Sequence, residues 1–343
     1  MWPGIGDWHR YPGQLHCSEA FAISEITSNH PLLVLSVLKL LRPKQWAKGA
    51  FVLIGPIYAL TDPKNDWHKL LPPALIAMAA LCLLSSAGYI VNDILDAPRD
   101  RLHPRKSKRP VASGAISPAF AWVIALVTGL IGAALILFIE GRAHLWVAGL
   151  ALAYLANTNL YSFFLKRIVI ADVIGLSLGF VLRVLAGCAA AQVQPSTWLL
   201  NCTLFLAMFL SFGKRLGERK TVGVDASAVR GVQAAYTDEL LRSAVGVTGV
   251  VTLVTYASYI QAKDVLWSGA PDAAGHGGWW VNPLWLTMLP ATYGMLRCVV
   301  LLERGRYDDP TEIVAKDWPT QVAGLAFGAM TVGALLLAKA VGH

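Results

Sequence analysis

The sequence predicts an all-α, polytopic membrane protein of about nine transmembrane helices, and three observations carry that prediction. Of the 343 residues, 55% are hydrophobic and only 15% are charged, and the mean hydropathy of +0.52 lies well above that of soluble domains. Apolar stretches close to the length that crosses a hydrocarbon core recur along the chain. Lys and Arg gather in every second segment between those stretches.

The elements follow in order. Residues 1–30 are polar and lack a basic flank, apolar run and small-residue cleavage site, so they read as an extension without a removable signal peptide. Pro31 to Leu41 is nearly all apolar and suits a short helix lying in the interface before Arg42 and Pro43. Spans are then predicted at 46–61, 72–92, 117–138, 145–165, 168–190, 197–213, 242–262, 281–302 and 320–341, the first and sixth being short. No internal repeat has a clear period, so 31–343 reads as one membrane domain. Cys17, Cys82, Cys188, Cys202 and Cys298 have no paired spacing, and read as packing residues with neither disulfide nor zinc framework.

Charge placement orients the bundle. The basic residues cluster before and at the start of the first span and in segments 93–116, 166–167, 214–242 and 303–319. The alternate segments hold only Lys64, Lys69, Arg142, Lys263 and Lys339, while Arg10, Arg183 and Arg297 fall in neither set. The positive-inside rule makes the richer set cytoplasmic, with the amino terminus inside and the carboxyl terminus outside, which suits a bacterial inner membrane. A net charge of +8 gathered on one face attracts anionic headgroups and phosphorylated metabolites. Nucleic acid is excluded as a partner, because the cations lie in separate short loops between spans.

The stretch Asn92-Asp93-Ile94-Leu95-Asp96-Ala97-Pro98-Arg99-Asp100 sits where the second span ends. If the helix runs on into it, Asp93, Asp96 and Asp100 fall at i, i+3 and i+7 and share one face. Three such carboxylates repel one another unless a cation lies between them. Hard oxygen ligands suit Mg²⁺, which takes one or two carboxylates and completes its shell with water and substrate phosphates. Arg105-Lys106-Ser107-Lys108-Arg109-Pro110 follows at once. The pattern points to a diphosphate held through magnesium at a membrane face, against the plainer reading of a solvated acidic helix end.

Other segments on the same side carry further cations. Lys44 and Lys48 flank Trp46 at i and i+4, and either reach one phosphate together or snorkel to lipid headgroups beside an aromatic belt. Tyr161 and Lys166 close the fourth span with the same two readings. Lys214 and Glu218 share a face and can pair. In the fifth span, Asp172 near its start and Arg183 near mid-membrane lie about 16 Å apart along the axis at 1.5 Å per residue. They cannot pair directly, so each needs another partner, and a polar cavity lined by this helix or a buried structural network would supply it.

Taken together these residues resemble the UbiA-type intramembrane transferase superfamily, and within it the decaprenyl-phosphate phosphoribosyltransferase branch. The resemblance rests on Asn92-Asp93-x-x-Asp96-x-x-x-Asp100 with its following Arg-Pro step, Leu41-Arg42-Pro43-Lys44-Gln45-Trp46-x-Lys48, Tyr161-Ser162-x-x-Leu165-Lys166, Leu182-Arg183-x-x-Ala186-Gly187 and Gly213-Lys214-Arg215-x-x-Glu218. Residues from about 40 to 220 carry it. Aromatic prenyltransferases of the superfamily have a second aspartate-rich motif where this chain has Lys214, Arg215 and Glu218. A cationic cluster there fits an anionic acceptor.

The resemblance implies transfer of 5-phosphoribose from phosphoribosyl diphosphate to a polyprenyl phosphate, with release of diphosphate. It implies Mg²⁺ on Asp93, Asp96 and Asp100, with Asn92 beside them. It makes Lys44, Lys48, Lys166 and Arg183 ligands of donor phosphates, with Tyr161 at the substrate. Lys106, Arg109, Lys214 and Arg215 serve donor or lipid phosphate, and Asp172 steadies positive charge developing at the sugar. Two departures stand out. Gly49 replaces an Asn common in the branch, and Lys106-Ser107-Lys108-Arg109-Pro110 shifts one cation along the loop. An aromatic prenyltransferase of quinone or haem synthesis is the alternative enzyme, and a transporter with buried charges is the non-enzymatic one. Prenyl length and assembly into a homo-oligomer are left open by the sequence.

Overall fold

The computed structural model describes residues 30–60, 64–102, 106–222, 235–262, 282–307 and 310–341. The extension predicted over 1–30 lies outside them except for His30, as do Cys17, Arg105 and Lys263. In chain order the helices are α1 (His30–Leu41), α2 (Phe51–Ala59), α3 (Trp67–Asp100), α4 (Pro118–Ile136), α5 (Ala143–Phe163), α6 (Ala171–Ala190), α7 (Thr197–Val222), α8 (Asp238–Ala262), α9 (Met288–Glu303), α10 (Pro310–Lys316) and α11 (Trp318–Val341). Short 3-10 segments at Pro43–Ala50, Lys106–Lys108, Leu165–Arg167 and Pro283–Thr287 join them. The described residues contain no strand.

Helix occurs at each expected place, but six segments are long and apolar enough to cross a membrane among the described residues: Trp67–Asp100, Pro118–Ile136, Ala171–Ala190, Thr197–Lys220, Asp238–Ala262 and Pro283–Glu303. The count of nine is not confirmed among the described residues, and two of the unmatched places show a physical reason. The first expected span divides at Ala50 into 3-10 turns and a nine-residue helix with Pro56 inside it. Helix α5 is diluted by His144, Asn157 and Asn159, and Asn157 turns inward to donate to the Gly175 carbonyl at 2.8 Å.

The chain forms two compact units, one from the described parts of Met1–Pro43 and Tyr89–Leu126, the other from Lys44–Gly88 and Val127–His343. In the smaller unit, Leu40 of α1, Ile90 and Ala97 of α3, Val111 and Ile116 of the following loop, and Ala121 and Ala125 of α4 make one buried cluster. The loop is a compact structure. The Ile116 amide donates to the Pro110 carbonyl at 3.0 Å and the Ser113 amide to the Arg109 carbonyl at 2.8 Å. Burying Val111 and Ile116 folds the basic run back over the end of α3.

In the larger unit, α2 and α5 pack on α6, α7 lies between α6 and α8, and α9 packs on α11. Lipid tails are as apolar as leucine, so close approach through small residues does much of the work of association. Helix α2 crosses α6 so tightly that a Cβ on Gly187 would lie 1.7 Å from the Val52 carbonyl oxygen. Outward faces remain apolar, with Leu152, Val250 and Leu325 at 67%, 62% and 75% exposure, as a lipid-facing surface requires. Within α8, Thr248, Thr252, Thr255 and Ser258 each donate to the carbonyl four residues back, which satisfies hydroxyls that water cannot reach.

Polar caps fix the start of α11. Asp317 accepts from the Thr320 amide at 3.1 Å and its hydroxyl at 2.7 Å. Arg297 of α9 grips the same carboxylate with two bonds of 2.6 and 2.8 Å. The Arg297 guanidinium, more than the capping bonds, holds the Asp317 carboxyl below the usual carboxylate range.

Gly187→Ala is expected to push α2 off α6 and cost about 1–3 kcal/mol, read as a lower unfolding temperature in detergent; an unchanged temperature would show that the two helices do not meet there. Because the folded Asp317 pKa is depressed, its contribution is complete above the unfolded value near 4 and fades as pH falls towards the folded one. The stability advantage of wild type over Asp317→Asn is therefore expected to be constant at neutral pH and to shrink below about pH 4, which an acid series of thermal melts checks.

Candidate active site

Helix α3 runs unbroken through the acidic motif to Asp100, so Asp93, Asp96 and Asp100 do lie on one helix as expected. Asp93 and Asp100 are each 3% exposed, while Asn92 and Asp96 are half-buried. The basic loop supplies the cation that such a pair requires. Arg109 Nη1 donates to Asp93 Oδ1 at 3.0 Å and to Asp100 Oδ2 at 2.7 Å. Lys106 Nζ approaches Asp100 Oδ1 at 4.0 Å.

Arg42 completes the group from the other side in sequence. Its Nη2 donates to Asp93 Oδ1 at 2.5 Å, and its guanidinium lies 5.0 Å from the Tyr89 ring centroid. Its backbone φ of +53° places a long side chain in the left-handed region, where non-glycine residues are uncommon. The turn brings the side chain from the end of α1 onto Asp93. Arg42 was legible only as part of a basic step, and nothing in its local sequence singled it out for Asp93.

The sequence-based expectation set three carboxylates around one metal. Among the described residues no three His, Cys, Asp or Glu side chains form a metal-binding group. Asp93 and Asp100 converge on one point, occupied by the Arg109 nitrogen, and Asp96 takes no part in that bridge. The donor set is hard oxygen, two carboxylates already facing a single cationic centre, which is the chemistry a magnesium-sized ion needs. The pair therefore fits a divalent metal that keeps water or phosphate in its remaining positions.

In the larger unit the two intramembrane charges each have their own partner, as the 16 Å estimate requires. Asp172, at the start of α6, is fully buried. One of its oxygens accepts from Arg215 Nη2 of α7, and the other from the Tyr236 hydroxyl at 2.6 Å. Tyr236 in turn accepts from the Ile170 amide at 2.7 Å. Ile170 itself has φ +68°, strained backbone for a β-branched residue. Burial first, and then the bond to Asp172, push the Tyr236 phenol up to about 12, so it stays a donor. Asp172 and Arg215 thus neutralise each other inside the bundle. The sequence-based expectation set Asp172 at the sugar and Arg215 at a phosphate; the structure pairs the two with each other, both Asp172 oxygens being engaged and Arg215 Nε left without a hydrogen-bond partner.

Arg183 is 6% exposed. Its Nη2 donates to the Tyr154 hydroxyl at 2.6 Å, and the guanidinium lies 4.5 and 5.9 Å from the Tyr154 and Phe180 ring centroids. The Tyr154 hydroxyl meets Ser85 Oγ at 3.1 Å. Aromatic faces and a phenol hold this cation, and no carboxylate among the described residues pairs with it. Nothing in the local sequence around Tyr154 and Ser85, in apolar spans, or Tyr236, in the segment before α8, signals what each one touches.

The remaining cations are placed less favourably for a shared phosphate. Pro43–Ala50 is a 3-10 helix, so Lys44 and Lys48 lie a third of a turn out of line, the first exposed and the second half-buried. Their expected alignment on one face assumed 3.6 residues per turn. Trp46 between them donates to Ser86 Oγ at 3.0 Å. Lys166 is exposed on a 3-10 turn after half-buried Tyr161. Lys214 and Glu218 are both half-buried on α7, and beyond them Arg219 and Lys220 tie α7 to Asp238 of α8 at 2.7 and 3.2 Å.

The larger unit also contains a cavity of about 460 Å³, lined by Phe51, Leu206, Thr252, Ala291, Gly294 and Phe327 among others. Tyr58, Tyr256 and Tyr259 line it too. The Tyr58 and Tyr259 rings meet edge-on at 5.4 Å, and the Tyr256 hydroxyl lies 2.6 Å from Thr287 Oγ1. With its hydroxyl groups turned towards protein partners, the space suits an apolar chain.

Comparison with known proteins identifies the family. The chain is 31% identical over 306 residues to a decaprenyl-phosphate phosphoribosyltransferase of Mycobacterium tuberculosis, covering 88% of this chain and 94% of that protein. It is 30% identical over 313 residues to a protein of the same name from Mycolicibacterium smegmatis, covering 89% and 93%. Its fold is similar to that of a UbiA homolog from Archaeoglobus fulgidus, solved with GPP and Mg²⁺, with a TM-score of 0.58, 16% identity, and coverage of 89% of this chain and 99% of that one. The sequence matches the UbiA prenyltransferase family over residues 49–318, and the chain belongs to that family.

Proposed function

We propose that this protein transfers 5-phosphoribose from phosphoribosyl diphosphate to a polyprenyl phosphate of the decaprenyl type, releasing diphosphate. The observation that carries the reading is the likeness to decaprenyl-phosphate phosphoribosyltransferases along 88% of the chain. The composition of α7 supports it. Lys214 and Arg215 stand where an aromatic prenyltransferase of the family would carry further aspartates, so a second acidic metal site is missing from that position. A likeness to a protoheme IX farnesyltransferase of Paramagnetospirillum magneticum covers only 50% of the chain, which makes the aromatic or haem reading the weaker one.

The residues divide the work by charge. Asp93 and Asp100, with Asp96 and Asn92 beside them in sequence, hold Mg²⁺. When bound, that ion supplies Lewis-acid stabilisation to the leaving diphosphate. Arg42, Lys106 and Arg109 neutralise the donor's diphosphate oxygens, to which guanidinium forks bind in pairs. Arg183, fixed by Tyr154 and Phe180 without a carboxylate, is a binding group for a phosphate. Lys44, Lys48, Tyr161, Lys166 and Lys214 are the further phosphate-facing candidates. Asp172, Arg215 and Tyr236 act by positioning α6 and α7.

The acceptor makes its own nucleophile. A phosphate monoester with a second pKa near 6 is largely dianionic at neutral pH, so no general base is needed. What the protein must overcome is repulsion between anionic acceptor and anionic donor. Each unit pair of like charges at 4 Å costs about 4 kcal/mol at an effective dielectric of 20, and the basic side chains offset it. The isoprenoid tail occupies the apolar cavity, which has the volume of a drug-sized ligand and so encloses part of the chain. The positive-inside pattern supports a cytoplasmic amino terminus and acidic motif in a bacterial inner membrane.

Purified protein with Mg²⁺, radiolabelled phosphoribosyl diphosphate and a polyprenyl phosphate is expected to move label into the lipid phase, and Asp93→Asn to lower that rate about 100-fold or more, the scale of losing one charge-stabilising group. Label that never enters the lipid, while a prenyl diphosphate and an aromatic acid do react, would replace this reading with the prenyltransferase one. Ala291→Trp, which fills the cavity, is expected to raise the KM for polyprenyl phosphate about tenfold or more and to leave the KM for the donor unchanged; steady-state kinetics with each substrate varied in turn decide whether the tail lies there.

A further inference from the structure

Arg109 occupies an unusual position for a loop arginine. A single atom, Nη1, lies 3.0 Å from Asp93 Oδ1 and 2.7 Å from Asp100 Oδ2. One cationic centre therefore already stands between the two carboxylates assigned above to a divalent metal. The two carboxylates are 3% exposed, whereas the Arg109 side chain is 30% exposed. Of the three groups, the cation is the one with access to water. Asp93 Oδ1 also receives Arg42 at 2.5 Å, and Lys106 stands 4.0 Å from Asp100, so each carboxylate keeps a neighbouring positive charge when Arg109 moves away.

We propose that Arg109 is a stand-in for the metal: it holds Asp93 and Asp100 together before the divalent cation arrives, and it passes to the donor's diphosphate when the cation takes the carboxylates. The proposal rests on the metal role given to these two residues. Arg109 Nη1 and a divalent cation cannot both stand between the two carboxylates, since they would occupy the same point and like charges at such separations repel strongly. Metal arriving alone must drive Arg109 into water with nothing in exchange, so it binds weakly. Metal arriving with a diphosphate gives Arg109 a bidentate anionic acceptor in the same event. Metal and donor then bind as one step, and at no stage are the buried carboxylates left without a cation.

Binding of Mn²⁺ alone to the full-length protein, followed by electron paramagnetic resonance, tests this without donor or lipid. Arg109→Gln is expected to bind Mn²⁺ about tenfold or more tightly than wild type, the equivalent of one hydrogen bond to a charged group. Lys108→Gln removes the same charge from an exposed side chain in the same loop, and is expected to stay within about threefold of wild type, as for other exposed charges. Equal tightening in both variants, or none in Arg109→Gln, overturns the proposal. If Arg109→Gln fails to fold without metal, Mn²⁺ supplied from solubilisation onward must restore it, because the ion takes the place of the missing guanidinium; a variant that Mn²⁺ cannot rescue also overturns the proposal. Absence of Mn²⁺ binding in every form removes the metal role itself. Tightening of Mn²⁺ binding in a protein that transfers no phosphoribose would leave the exchange standing and overturn only the choice of substrates.

Discussion

A charge withdrawn from water must meet an opposite charge or a set of hydrogen bonds, and in a membrane bundle that requirement governs where helices can sit. The buried charged side chains among the described residues meet it to different degrees, and Arg215 keeps one unpartnered nitrogen, Nε. Asp93 and Asp100 meet Arg109 and Arg42, Asp172 meets Arg215 and Tyr236, Arg183 meets Tyr154, and Asp317 meets Arg297. These contacts join elements distant in sequence. Asp172 ties α6 to α7 and to the chain that enters α8, and Asp317 ties α11 to α9. They supply the specificity that lipid-facing leucine and valine cannot, since one apolar face suits hydrocarbon as well as another.

Between the polar ties, van der Waals contact sets the spacing. The α2–α6 crossing has no room for a methyl group at Gly187, and small residues such as Ala77, Ala80, Ala143 and Ala186 fill the adjoining core. Where larger side chains line the bundle, around Phe51, Leu206 and Phe327, packing leaves an apolar space. A polyprenyl substrate needs both properties in one molecule, a rigid frame for charged groups and an apolar opening for its tail.

The chemistry proposed for this frame requires little covalent participation from the protein. Its demands are electrostatic: an anionic nucleophile, an anionic leaving group and a sugar carbon that becomes electron-poor. Carboxylates paired with arginines answer those demands without a histidine or other general base. The acidic motif also carries its own counter-ions in Arg42, Lys106 and Arg109. Arg183 differs in meeting, among the described residues, aromatic rings and a phenol and no carboxylate. That is a costly arrangement unless an anion shares it.

Composition and spacing determined that the chain is helical, that it lies in a membrane and that Asp93, Asp96 and Asp100 share one helix, because hydropathy and helical periodicity are local properties. The family motifs, which are also local, were legible in the same way. The separation of Asp172 from Arg183 along one helix showed that they could not pair, but their actual partners came from α5, α7 and the chain before α8, which no local pattern records. Backbone type was equally invisible. Lys44 and Lys48 fall out of line because Pro43–Ala50 winds as a 3-10 helix, and Arg42 reaches Asp93 through a left-handed turn. Tertiary structure alone decided that Arg109 stands between two aspartates and that Asp172 is buried against Arg215 and Tyr236. Both outcomes depend on which distant segments bury their apolar residues together, as Val111 and Ile116 do against Ile90 and Ala97.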